Sequence, residues 1–114
     1  MNNTSAANLH RVAFQLRVRA DKLAEYDESH RQVWPELLAR LSEVGFRNYS
    51  IFRRGQQLFL YVQVADFKAA QDALRNDPVN LRWQQAMADI LEPVPDLQPG
   101  EEFAMMEEVF YMEG

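Results

Sequence analysis

The sequence predicts an α+β domain on the ferredoxin-like β-α-β-β-α-β plan, an antiparallel sheet with its helices on one face. Three observations point there. Apolar and polar residues alternate over residues 11–19, which is the period of a strand, and residues 57–64 read as another strand. Helical spacing replaces that alternation over 22–44 and 67–91. The two middle strands are joined only by Gly55-Gln56, a link short enough to demand a hairpin.

In the first strand Val12, Phe14, Leu16 and Val18 share one face, and Arg11, Gln15, Arg17 and Arg19 share the other. Ala20-Asp21 ends the alternation, and Asp21 is placed to cap the helix that follows. Leu23, Tyr26, Val33, Trp34, Leu37, Leu38 and Leu41 then keep helical spacing. Pro35 falls inside this run and should kink it or divide it, and Gly45 should stop it. Residues 46–54 read as the second strand and 57–64 as the third. The second helical region, 67 to about 91, should break near Asp77-Pro78, where Asp77 can cap a helix with Pro78 at its first position. Pro93, Pro95, Pro99 and Gly100 make a stiff loop, and residues 102–112 are expected to form the last strand.

At 114 residues the chain is one domain, able to bury roughly two-thirds of its unfolded surface. Residues 1–10 read as a disordered leader, with no basic or apolar signal, and residues 11–114 as the domain. A net charge of −5 argues against nucleic acid or an anionic membrane as partner. No apolar run approaches the ~20 residues of a membrane span, so the cytoplasm is the expected location. The absence of cysteine excludes disulfides and thiolate chemistry, and two histidines far apart in sequence do not suggest a metal site.

The sheet is apolar on both faces at Leu58-Phe59-Leu60-Tyr61-Val62, and Phe46 and Phe52 are expected to face opposite to Tyr49 and Ile51. Helices cover one face only. A second copy packed sheet on sheet is the simplest cover for the other, so a homodimer is expected. The uncovered face could also form a ligand cavity lined by the polar tips of Tyr49 and Tyr61.

One helical stripe carries the chemistry. Tyr26, His30 and Trp34 are four residues apart and stack along one face. Spacing leaves two readings of His30. It is either a buried ring satisfied by a backbone carbonyl or a general acid/base, since imidazole titrates near ~6.5. Tyr26, Trp34 and Trp83 are open in the same way, between core packing and contact with a sugar. Arg82 and the pair Arg53-Arg54 read as solvated charge. Glu101-Glu102 reads as solvated too, unless its carboxylates point into a barrel mouth.

Together these segments resemble the L-rhamnose mutarotases. The matching stretches are Tyr26-Asp27-Glu28-Ser29-His30, Val33-Trp34-Pro35-Glu36-Leu37, Asn48-Tyr49-Ser50-Ile51, Arg82-Trp83 with Met87-Ala88-Asp89-Ile90, and Glu108-Val109-Phe110-Tyr111. They run in order from about Arg11 to Met112. The resemblance implies a dimeric α+β barrel that interconverts the α and β anomers of a 6-deoxy-hexopyranose without metal or organic cofactor. By position it implies His30 as proton donor and Tyr26, Tyr49 and Trp83 as substrate contacts, with Trp34 and Gln84 beside them. Gln84 stands where the family usually has a second tryptophan, and Val94-Pro95-Asp96-Leu97 where its loop usually reads Asn-Pro-Asp-Asn. An amide in place of a stacking ring leaves L-fucose or a related aldose open as the substrate. Asp96 is a candidate second acid/base group. The same fold plan serves cofactor-free monooxygenases and haem-degrading enzymes, and a non-catalytic sugar-binding module would share these residues.

Overall fold

The computed structural model describes residues 8–114, so most of the expected leader lies outside the described residues. Strand β1 (His10–Val18) is followed by a 3-10 turn at Ala20–Lys22 and by helices α1 (Leu23–Arg31) and α2 (Pro35–Glu43). Next come β2 (Arg47–Arg54), β3 (Gln57–Val64), α3 (Phe67–Arg75) and α4 (Pro78–Met87), and finally two short strands, β4 (Leu91–Glu92) and β5 (Ala104–Met106). The sheet runs β2-β3-β1-β4, with β5 also on β1, and every pairing is antiparallel. That is the expected ferredoxin-like order, with each helical region split in two.

Local chemistry explains the splits. Pro35 opens α2 at a position whose N–H has no helical partner anyway. Asp77 Oδ1 accepts from the backbone N–H groups of Val79 (2.8 Å) and Asn80 (3.2 Å), capping α4 ahead of Pro78. At the end of α2 the N–H of Phe46 reaches the Leu41 carbonyl and that of Gly45 the Ser42 carbonyl, both at 3.0 Å. This crossed pair needs a left-handed residue, and Gly45, at φ +100°, supplies it. Asp21 does not act as a cap: it lies within the 3-10 turn, its carboxylate 3.5 Å from Arg19.

The main core lies between helices and sheet. Val18, Leu58, Val62 and Val64 are fully buried, and Phe14 and Leu60 extend the same face. Each such side chain contributes about 1.5–3 kcal/mol by leaving water. The opposite face is open: Phe52 is 65% exposed and Phe59 37%. Phe46 does not join it. The ladder between β2 and β3 shifts register between Arg47 and Ser50, with Asn48 at φ +52°, and this bulge reverses the parity ahead of it. Phe46 therefore turns inward, edge-on to Tyr49 with centroids 5.5 Å apart.

The last strand is much shorter than expected. Only Ala104–Met106 pairs with β1, opposite residues 13–15, while Leu91–Glu92 pairs with the far end of β1 at Arg17 and Val18. The Pro-rich segment bridges the two. Glu107–Gly114 forms no ladder, although Glu108 makes two hydrogen bonds to Arg11. Among the described residues no helix is long and apolar enough to cross a membrane.

Candidate active site

A cavity of about 800 Å³ opens between the helices and the covered face of the sheet. Tyr26, His30, Tyr49, Trp83 and Gln84 all line it, as does Ile51. Three elements deliver them: α1 carries the first two, β2 carries Tyr49 and Ile51, and α4 carries Trp83 and Gln84. Tyr61 does not face it. Its side chain is on the open face, where its hydroxyl accepts from Gln63 Nε2 at 3.0 Å.

The predicted stripe holds for its first two members. The Tyr26 and His30 rings stack, centroids 4.0 Å apart and 25° between planes. Trp34 leaves it. The residue before a proline is pushed out of helical conformation, and Trp34, at φ −56° and ψ +130°, ends one turn beyond α1. It does not line the cavity. It packs edge-on against Trp83 at 5.1 Å, with the Arg82 guanidinium 5.7 Å from its ring centre, so it supports a wall rather than forming one. Trp83 in turn meets the edge of His30 at 5.3 Å.

His30 is both anchored to the backbone and open to the cavity. Its Nδ1 lies 2.9 Å from the Tyr26 carbonyl, as for a satisfied core histidine, and its ring lines the cavity. A carbonyl only accepts, so Nδ1 carries the proton of the neutral ring and Nε2 is left with a free lone pair. Half-burial lowers the pKa of this imidazole below its ordinary 6.5, against smaller opposing pulls from the Tyr26 carbonyl and the Asp27 carboxylate. The ring is therefore neutral at pH 7.

The two tyrosines are held as phenols. Tyr49 as a whole keeps 36% exposure, yet burial of its phenol pushes its pKa up to about 12. Burial also raises Tyr26, with Tyr49 and Asp27 adding to it. Neither hydroxyl has a hydrogen-bond partner among the described residues, and no side-chain polar atom there is both sealed and unpaired. These two hydroxyls thus remain available to a ligand.

Asp96 is not at the cavity. Its loop is exposed, and its carbonyl accepts from Gln98 Nε2. The carboxylate that does line the cavity is Glu102, 2.8 Å from Arg75. Arg53 is not plain surface charge either. Its Nε donates to Asp27 Oδ1 at 2.7 Å and its Nη2 to Oδ2, tying β2 to the helix that bears His30. Pairing across elements of this kind leaves no mark in the spacing of a single sequence.

A family model described as L-rhamnose mutarotase matches residues 11–112. An L-rhamnose mutarotase of Opitutus terrae is 39% identical over 105 residues, covering 90% of this chain and 98% of the relative. One of Formosa agariphila is 36% identical over 107 residues, covering 92% of this chain and 100% of the relative. The crystal structure of an L-rhamnose mutarotase from Formosa agariphila aligns with a TM-score of 0.73 at 35% identity, covering 91% of this chain and 99% of that one. Tetracenomycin F2 cyclase of Streptomyces glaucescens, a type-II polyketide cyclase, aligns with a TM-score of 0.60 at 20% identity, covering 92% of this chain and 98% of that one. That second likeness concerns the dimeric α+β barrel fold alone.

Proposed function

This chain belongs to the L-rhamnose mutarotase family, and from that premise we propose that it interconverts the α and β anomers of L-rhamnose with His30 as the acid/base. Such an enzyme is an isomerase acting on a carbohydrate. The reaction opens the C1–O5 bond, turns the resulting aldehyde and closes the ring again. The anomeric hydroxyl must lose a proton and the ring oxygen must gain one. A placed group contributes about 10²–10⁴-fold to each transfer.

The observation that carries the assignment is the state of His30 in the cavity wall: Nδ1 is held by the Tyr26 carbonyl and Nε2 is free. A neutral ring begins as a base. Nε2 takes the anomeric proton and becomes imidazolium as the C1–O5 bond breaks, and it then delivers a proton to O5. Both oxygens are bonded to C1, so one nitrogen can serve both. Closure reverses the transfers on the other face of the aldehyde. Tyr26 and Tyr49, being un-ionised, donate hydrogen bonds to sugar hydroxyls. Trp83 offers an apolar surface to the C–H face of the ring, and Gln84 adds an amide at the cavity edge.

The same reading takes the protein as a homodimer packed through the open sheet face. The support for this is the exposure of Phe52 and Phe59 on an otherwise ordered sheet. The test of function is anomer exchange by saturation-transfer NMR over L-rhamnose, L-fucose and a few common aldoses. L-rhamnose should exchange fastest. Acceleration of none would make the protein a binding module, and acceleration of L-fucose alone would reassign the substrate.

A further inference from the structure

Ser29 does more than fill a helix position. Its Oγ donates to the Tyr26 carbonyl at 2.8 Å and lies 2.9 Å from His30 Nδ1. With its proton committed to the carbonyl, the hydroxyl turns a lone pair, not a hydrogen, toward Nδ1. The Tyr26 carbonyl alone would be a crowded partner, because an α-helix already asks it to accept the backbone N–H four residues on. Ser29 gives the Nδ1 proton a second acceptor and closes a three-membered ring of contacts around it.

We propose that Ser29 is a positioning residue for His30, its hydroxyl clipped between the Tyr26 carbonyl and Nδ1 so that the ring keeps its proton on Nδ1 and presents Nε2 to the sugar. This rests on His30 being the acid/base. The role is that of the third member of a nucleophile–base–orienter set, in which the orienter fixes the tautomer and steadies the charged ring as it forms. A serine in this role fixes the tautomer and ring orientation without placing a full charge beside the imidazole. The ring therefore stays neutral at rest and returns its proton readily.

The experiment compares Ser29→Ala, Ser29→Thr and Ser29→Asp, each in a His10→Gln background so that His30 is the sole imidazole. Two readouts are taken: ¹⁵N shifts of the imidazole, which report the tautomer, and the pH dependence of kcat and KM. Ser29→Ala should raise the fraction protonated at Nε2 and lower kcat roughly fivefold, the worth of one hydrogen bond, with little change in KM. Ser29→Thr, which keeps the hydroxyl, should restore both. Ser29→Asp should move the acid limb of the profile up by about one pH unit. Parental tautomer, kcat and pH profile in Ser29→Ala would overturn the proposal, and so would a moved tautomer with parental kcat. A parental rate in His30→Ala would sink the acid/base assignment instead, whereas the tautomer shift between Ser29→Ala and the parent reads the Ser29 contact whatever that rate is, so the two failures are distinguishable.

Discussion

Arg53 holds Asp27 in a two-point grip, Nε to Oδ1 at 2.7 Å and Nη2 to Oδ2, while its Nη1 donates to the Gly55 carbonyl at 2.9 Å. One side chain thus joins the β2–β3 turn to the middle of α1. Nine residues make a helix too short to be stable alone, so α1 depends on such tertiary ties. Asp27 directly follows Tyr26 and precedes His30 by three residues, and the same tie therefore sets where the phenol and imidazole stand. The guanidinium holds the Asp27 carboxyl below its ordinary range.

Removing the grip should disturb chemistry before stability. In Arg53→Met, Asp27 keeps its charge without a partner and favours the imidazolium. The expected outcome is a lower kcat, with the acid limb of the kcat/KM profile moved to higher pH. Arg53→Lys should recover only part, because an ammonium lacks the planar fork. A pH–rate profile identical to that of the parent would show that the pair does not act on His30.

The pH dependence has a definite sign. His30 titrates below 6.5, so kcat/KM should be flat above that pH and fall as the ring gains a resting proton at the lower folded value. Stability follows the same window. Between the folded value and 6.5 the unfolded chain binds more protons, so this contribution is complete above 6.5 and is lost as pH falls through the folded value. A second loss comes at lower pH. Asp27, Asp72 and Glu108 are each lowered, chiefly by hydrogen bonds from Arg53, Arg75 and Arg11. Their contribution is full above the ordinary values of 3.8 for Asp and 4.5 for Glu, and it disappears as pH drops through the folded ones. Thermal unfolding followed from neutral to strongly acidic pH should therefore show two steps down.

The tyrosine hydroxyls should matter for binding. Tyr49→Phe and Tyr26→Phe each remove one unpaired donor from the cavity wall, and each should weaken sugar affinity by about 1 kcal/mol, near fivefold. Calorimetric titration with L-rhamnose measures it. Unchanged affinity in both would place the sugar elsewhere in the cavity.

The open sheet face should be the dimer contact. Phe52→Glu combined with Phe59→Glu places charge on that face and away from the cavity. Sedimentation should give the protomer mass for this variant and twice that mass for the parent. A monomeric parent would refute the sheet-on-sheet arrangement.

What could be read directly from sequence was governed by near neighbours. The strand expected over Gln57–Val64 became β3 residue for residue, and Asp77-Pro78 became a cap and first helical position. The four-residue spacing of Tyr26 and His30 became a stacked pair. The errors came from distant partners or a single unusual dihedral. Residues 102–112 pair only where β1 still has a free edge, which β4 partly occupies. Phe46 turned inward through a bulge that depends on Asn48 adopting a positive φ. Trp34 left its stripe because Pro35 constrains the residue before it. The clasp of Ser29 on Nδ1 and the grip of Arg53 on Asp27 depend on rotamers and on long-range packing, which a single sequence does not display.

The most direct measurement of the whole account is anomer exchange of L-rhamnose with the parent protein and with His30→Ala, followed by saturation-transfer NMR at neutral pH. The parent should accelerate exchange and His30→Ala should leave it close to the rate in buffer. Equal acceleration by the two proteins would contradict the account.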